Sequence, residues 1–124
     1  MIVGMGTDIV DTGRLRDVLA RNGEAFIGRI YTEREQHESG GRVEYYAGRW
    51  AAKEATAKAL GCGMGALCSF TDIEISNDPY GAPVLNCTAA AALEMEKKHT
   101  TLRWHVSISH EHSFAVAVVI IESI

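Results

Sequence analysis

One stretch limits the folds open to this chain more than any other: Arg49-Trp-Ala-Ala-Lys-Glu-Ala-Thr-Ala-Lys-Ala-Leu60. Alanine, leucine, lysine, glutamate and arginine all favour a helix. Successive residues sit about 100° apart around that helix. Ala51, Ala52, Ala55 and Ala59 therefore form one smooth arc, and small side chains there let the helix lie close to whatever covers it. Trp50, Glu54 and Lys58 line another side at i, i+4, i+8. Arg49 and Lys53 are like charges at i, i+4, a mildly repulsive spacing. It points to an anion between them, and the alternative is a solvated basic face. The helix is expected to start near Arg42, after Ser39-Gly-Gly41. Gly48 costs about 1 kcal/mol inside it relative to alanine, which points to a close backbone contact. Gly61 is the expected left-handed cap. The loop Gly61-Cys-Gly-Met-Gly65 has freedom to wrap a ligand.

The rest of the chain reads as strands and helices that need such a rod. Ile2 to Val10 is a short apolar run carrying Gly4 and Gly6, expected to be a strand that another backbone approaches closely. Asp8 near its end is costly to bury unpaired. It is either an N-cap or a metal ligand, and Asp11 and Thr12 are free to cap the next helix instead. Arg14 to Ala20 is predicted helical with Leu15, Val18 and Leu19 inward. Asn22-Gly23 breaks it, and Glu24 to Ile30 forms a second helix on Phe26, Ile27 and Ile30. Thr32-Glu-Arg-Glu35 is a capping box opening a third. Thr71 to Ser76 and Pro83 to Asn86 are strands of a hairpin around Asn77-Asp-Pro-Tyr-Gly81. Thr88 to Lys98 is an amphipathic helix. Trp104 to Ser109 and Phe114 to Ile121 form a second hairpin with His110-Glu-His112 at its turn. The last strand is so apolar that it is expected to be buried on both faces. The sum is an α+β chain of about five strands. It reads as one domain, residues 1–124, whose last strand needs a neighbouring subunit for cover.

Charge and cysteine usage narrow the partners. The net charge is −4 at pH 7, which argues against nucleic acid. Arg14, Arg16, Arg21 and Arg29 nevertheless crowd the first third, a local basic patch suited to an acidic partner. Cys62, Cys68 and Cys87 follow no CxxC spacing, so reduced thiols in a cytoplasmic protein are expected. No signal peptide or membrane span is read.

Four features carry chemistry: Asp8, Glu54 with Lys58, the glycine loop, and Ser107-Ile-Ser-His110. Two carboxylates from different elements can hold Mg²⁺ while water or substrate phosphate fills the remaining positions. Lys53, Lys58 and Arg49 are candidates to neutralise phosphate, and His110 to hold a phosphate oxygen or move a proton. The plainer alternative for Glu54 and Lys58 is a surface ion pair. The glycine loop lacks the Gly-Lys-Ser/Thr ending of a P-loop. His105, His110 and His112 lack a helical zinc spacing. Ser107 and Ser109 have no Gly-x-Ser-x-Gly elbow. From the residues alone the reading ends at a Mg²⁺–phosphate site.

Taken together, the motifs resemble the holo-[acyl-carrier-protein] synthases, the short 4′-phosphopantetheinyl transferases. The matching residues are Gly4-Met-Gly-Thr-Asp-Ile-Val10 with Arg14, Phe26-Ile-Gly-Arg-Ile-Tyr-Thr32 with Glu35, and Gly48-Arg-Trp-Ala-Ala-Lys-Glu-Ala55 with Lys58-Ala-Leu-Gly61. Asp72-Ile-Glu-Ile75, Gly81-Ala-Pro83 and Ser107-Ile-Ser-His110 complete the set. The resemblance implies a small antiparallel sheet packed against a long central helix, in homotrimers with sites between subunits. It implies transfer of the 4′-phosphopantetheine group of coenzyme A to a serine of apo acyl carrier protein, with Mg²⁺, in fatty acid or polyketide biosynthesis. By the same resemblance Asp8 and Glu54 are metal ligands, and Lys58 contacts the diphosphate. His110, Gly81, Ala82 and Pro83 line the coenzyme A site. Arg14, Arg21 and Arg29 grip the carrier, and Glu54, Lys58 and His110 form the catalytic set. Ala82 stands where many relatives carry lysine, Trp50 where phenylalanine is usual, and Thr7 where leucine is common. Two rivals remain, a Mg²⁺-dependent nucleotide diphosphate hydrolase and a non-catalytic trimer that binds an acidic partner.

Overall fold

Strand β1 (Ile2–Asp11) and helix α3 (Val43–Leu60) set the architecture. A computed structural model describes all residues, Met1–Ile124. Between them run α1 (Thr12–Ile30) and α2 (Glu33–Ser39). After α3 come a 3₁₀ turn (Phe70–Asp72), β2 (Ile73–Asn77), β3 (Pro83–Cys87), α4 (Ala90–His99), β4 (Leu102–His110) and β5 (Phe114–Ser123). One antiparallel sheet has the order β1-β5-β4, and β2 pairs with β3 in a separate hairpin. In the larger sheet Asp8 lies opposite Ala117, and Ala117 opposite Ile108. The α+β expectation, its five strands and both hairpins hold.

Helix α3 lies on β1 at backbone distance. A Cβ added to Gly4 would stand 2.2 Å from the Ala59 carbonyl oxygen, and one on Gly6 would stand 2.1 Å from that of Ala55. Ala51, Ala52 and Ala55 are fully buried on this face. Each alanine buries little area, so the gain is proximity: many atom pairs in contact, each worth about 0.1–0.2 kcal/mol. Gly48 meets a side chain, not a backbone as the sequence suggests, with a Cβ there 2.9 Å from Cγ2 of Ile108. Gly61 ends the helix at φ 78°, as expected of a left-handed cap.

Some local expectations hold and others change. The break expected at Asn22-Gly23 is present: Asn22, at φ −153° and ψ 43°, is non-helical and kinks α1 into two helical halves. Buried Leu15, Phe26 and Ile30 hold both halves to the same core. Asp11 caps α1 by accepting the Arg14 N–H (3.0 Å), which leaves Asp8 uncommitted as a cap. Helix α4 starts at Ala90 and not Thr88, because Thr88 donates its N–H to the Asp72 carbonyl (2.9 Å). Within a single chain strand β5 is buried on one face. Ala115, Ala117, Val119 and Ile121 lie fully under α3, but Phe114 and Val116 are exposed, as are Met5 and Ile9 on β1. Only one face of the sheet has a helix over it.

Lys53 is also not where a phosphate could reach it. It is fully buried, with Nζ 2.6 Å from Glu35 Oε1. It donates to the carbonyls of Ile30 (2.9 Å), Phe70 (2.9 Å) and Ile73 (2.7 Å). Glu35 completes the capping box with Thr32 and accepts the Ile75 N–H at 2.9 Å. Burial pulls the Lys53 ammonium below its ordinary range, and Glu35 opposes that. The anion beside Lys53 is therefore a carboxylate of the chain itself, whereas Arg49 has no anionic partner among its contacts. The Lys53–Glu35 pair ties α1, α2, the 3₁₀ turn and β2 to α3. Breaking such a pair on one side costs about 3–5 kcal/mol.

The glycine contact predicts a sharp contrast. Gly6→Ala should destabilise the fold by about 3 kcal/mol or more. Gly23→Ala, with nothing within 4 Å of the new Cβ, should change stability by no more than about 1 kcal/mol, upward. Urea denaturation of the two variants checks this.

Candidate active site

The contact that brings β1 onto α3 also fixes two acids. Gly4, Gly6, Asp8 and Val10 alternate onto the helix-facing side of β1. Asp8 and Glu54 share a cavity of about 190 Å³ with Ile9, Val10, Asp11, Arg14 and Trp50. Lys58 does not pair with Glu54, the ion pair its spacing suggests. It turns to β1, with Nζ 3.2 Å from Asp8 Oδ1 and donating to the Thr7 carbonyl at 3.0 Å. Lys58 is more than half exposed, so this pair adds little stability. Its value is placing an ammonium beside Asp8. The Glu54 carboxyl is pushed above its ordinary range, first by burial and then by the Asp8 charge, with Lys58 and the Trp50 indole acting the other way.

Two oxygen donors under mutual repulsion, open to a cavity, fit a hard dication that keeps its other positions for water and phosphate oxygens. They do not fit zinc, and no group of three or more His, Cys, Asp and Glu side chains is placed to hold a metal. The histidines disperse. His105 Nε2 lies 2.8 Å from Glu122 Oε1, on the outer face of the sheet. His110 and His112 line two different cavities.

A second cavity of about 400 Å³ lies along β4, lined by Arg42, Glu44, Tyr45, Gly48, Arg49, Asn77, Ile108 and His110. Arg49 donates through Nη2 to Asn77 Oδ1 (2.7 Å) and stacks over Tyr45, 4.2 Å from the ring centroid. Its Nε is buried without a partner, a donor waiting for an acceptor. Pro83 pairs with Asn77 across the hairpin. The turn holding Gly81 and Ala82 therefore adjoins this cavity. Asp78 Oδ1 shapes that turn by accepting the N–H groups of Tyr80 (2.8 Å) and Ala82 (2.9 Å).

Residues 4–119 match the family model of the 4′-phosphopantetheinyl transferase superfamily. The chain is 44% identical over 128 residues to the holo-[acyl-carrier-protein] synthase of Oceanobacillus iheyensis, covering 99% of this chain and 98% of that one. It is 45% identical over 127 residues to the synthase of Vibrio atlanticus, covering 98% of each. The chain belongs to the holo-[acyl-carrier-protein] synthases. Its fold agrees with that of the Bacillus anthracis synthase solved with CoA (3′,5′-ADP), at a TM-score of 0.83 and 40% identity, covering 100% of this chain and 99% of that one. The Helicobacter pylori synthase solved with coenzyme A gives a TM-score of 0.86 at 32% identity, covering 95% and 99%. As a member of this family the chain is a phosphopantetheinyl transferase.

In this synthase the expected site residues fall into two groups. Asp8, Glu54, Lys58 and Arg14 surround one cavity or its rim; His110 and the Gly81-Ala82-Pro83 turn lie at the other. Val10, Ala115 and His110 occupy one row across the sheet. The two edges are thus about 10 Å apart, two strand spacings, with α3 packed between them. Within one chain the two groups line separate cavities. Arg21 and Arg29 are exposed on α1, away from both cavities. The glycine loop borders neither; Gly61 and Cys62 line a separate cavity with Leu67 and Met95. Arg42, Tyr45 and Asn77 escape sequence reasoning, because a helix start, an apolar ring and a turn residue give no chemical signal. Trp50 reads as packing yet walls the carboxylate cavity.

Repulsion between the acids predicts that Glu54→Gln, in chelator and without substrate, raises Tm by about 1–3 °C. A buried carboxyl with a raised pKa favours the fold when protonated and disfavours it as pH rises through that pKa. The gain should therefore appear at pH 7 and shrink toward pH 4. Differential scanning calorimetry at both values checks it.

Proposed function

We propose that this synthase transfers the 4′-phosphopantetheine group of coenzyme A to a serine of an apo acyl carrier protein, releasing adenosine 3′,5′-bisphosphate. The observation that carries this is the pairing of Asp8 with Glu54 in one cavity, in a chain whose relatives are holo-[acyl-carrier-protein] synthases. Asp8 and Glu54 hold Mg²⁺. When bound, the ion supplies charge neutralisation and polarisation at the diphosphate. Lys58, beside Asp8, steadies the oxygens of the leaving bisphosphate. Arg49, Arg42 and His110 receive the phosphate and nucleotide portion, with the turn at Gly81, Ala82 and Pro83 against it.

The serine oxygen forms a bond to the phosphorus bearing pantetheine as the diphosphate P–O bond breaks. The serine proton passes to the Glu54 carboxylate or to a water in the same cavity. Arg21 and Arg29 hold the acidic face of the carrier, and Arg14 joins that basic surface to the carboxylate cavity. Such steering gives an acidic enzyme a basic dock.

The working unit is a homotrimer with each site built from two neighbours. Two observations support it: the split between the Asp8 and His110 groups, and the bare apolar face of Met5, Ile9, Phe114 and Val116. No helix is long and apolar enough to cross a membrane. With three free cysteines, we place the enzyme in the cytoplasm, in fatty acid or polyketide biosynthesis.

Intact mass spectrometry of apo carrier incubated with enzyme, coenzyme A and Mg²⁺ tests the reaction. The carrier should gain one phosphopantetheine, and Glu54→Gln should abolish the gain. Bisphosphate release without carrier would indicate a hydrolase instead. Arg21→Glu should raise the carrier KM by about tenfold or more with kcat little changed, whereas Arg14→Glu should move both. Steady-state kinetics at two salt concentrations separates them. Mixing Glu54→Gln subunits with His110→Ala subunits should restore activity that neither has alone. No recovery after subunit exchange would contradict sites shared between copies.

A further inference from the structure

All three cysteines of the chain belong to one part of the molecule, outside the transfer site. Cys68 is completely buried, while Cys62 and Cys87 are half-buried. Backbone bonds bracket Cys68 against Cys87. Leu67, before Cys68, accepts the Ala91 N–H at 3.0 Å. Ser69, after it, donates its N–H to Asp72 Oδ2 at 3.0 Å. The Asp72 carbonyl accepts the N–H of Thr88, the residue after Cys87, at 2.9 Å. Cys87 closes β3 opposite Ile73 and packs against the core that holds Cys68, near enough for each thiol to perturb the other.

The two sulfurs are not equivalent. The neighbouring Cys68 thiol and the Ala89 backbone, next to the start of α4, both act on Cys87. Both interactions favour its thiolate and hold it below the ordinary thiol range. Cys68, beside Cys87 and shielded from water, is pushed well above that range. One sulfur is reachable and nucleophilic. The other is hidden and adjacent, the relation of an attacking thiol to a resolving one.

We infer that Cys68 and Cys87 are a reversible dithiol–disulfide pair, oxidised by low-molecular-weight disulfides that enter at Cys87. The Cys87 thiolate attacks one sulfur of glutathione disulfide. A Cys87–glutathione bond forms, the original S–S bond breaks, and glutathione thiolate leaves and takes a proton. Cys68 then attacks the Cys87 sulfur, and its proton passes to the second glutathione thiolate as that group is expelled. Two protein thiols and one glutathione disulfide become one protein disulfide and two glutathione thiols. Attack by Cys68 is intramolecular, so its burial is no obstacle. The bond ties the segment after α3 to the base of the β2–β3 hairpin, whose tip borders the Arg49–His110 cavity. Such pairs in reducing compartments are transient redox sensors.

Full-length protein is equilibrated in glutathione buffers from reduced to oxidised, quenched with acid, alkylated, and read by intact mass and peptide mapping. The oxidised end should leave Cys62 as the single alkylatable thiol, with Cys68 crosslinked to Cys87, and dithiothreitol should restore all three. Cys62→Ser should keep the crosslink, and Cys68→Ser should stop at a glutathione adduct on Cys87. Should Cys68→Ser fail to fold, the Cys62→Ser protein carries the test unaided. Three alkylatable thiols throughout, or a crosslink that contains Cys62, would overturn the inference.

Discussion

The rest of the molecule depends on the closeness of one strand to one helix. Gly4 and Gly6 press on the carbonyls of Ala59 and Ala55 with no room for a methyl group. That separation is set by hard-core repulsion, so it tolerates little drift. Asp8 follows Gly6 by two residues and Glu54 precedes Ala55 by one. Fixing the strand on the helix therefore fixes the two carboxylates in one cavity. The site holds together two acids that repel each other, and the packing beside them supplies the restraint. A looser strand would let Asp8 swing away.

A second restraint works from the other side of α3. The buried Lys53–Glu35 pair gathers carbonyls from α1, the 3₁₀ turn and β2 around one ammonium. It fixes the direction of β2, and with it Asn77, which receives Arg49. Basic groups on α3 thus take different parts. Lys53 is internal scaffolding, Arg49 lines the large cavity, and Lys58 stands at the edge of the small one. Helical spacing turns them to different sides of a single rod, and the elements packed on each side decide their use.

Much of this was legible in the sequence. The alanine arc announced a close-packed face, Gly4 and Gly6 announced a close approach, and the capping box at Thr32–Glu35 formed as written. These are local signals, since the residues that cause the structure sit next to each other in the chain. The misreadings have a common source. Lys53 looked like a phosphate ligand because its partner, Glu35, was already assigned to a cap. Lys58 looked like the partner of Glu54 because Asp8 is fifty positions away in sequence. Arg49 and His110 are legible as candidates, but the cavity that joins them to Arg42, Tyr45 and Asn77 is not, being assembled from a helix, a hairpin and a distant strand. Asp8 and Glu54 read as a pair of candidate ligands from the residues and again from the family motif, and the structure gives their meeting a physical cause.

The account stands on the two acids acting as one cation site, and direct binding tests that best. Mn²⁺, as a paramagnetic stand-in for Mg²⁺, can be titrated into the protein with coenzyme A present while free ion is followed by electron paramagnetic resonance. The account predicts one ion bound per chain, lost in Asp8→Asn and weakened in any folded variant that loosens β1 from α3. Undiminished binding in Asp8→Asn would contradict it.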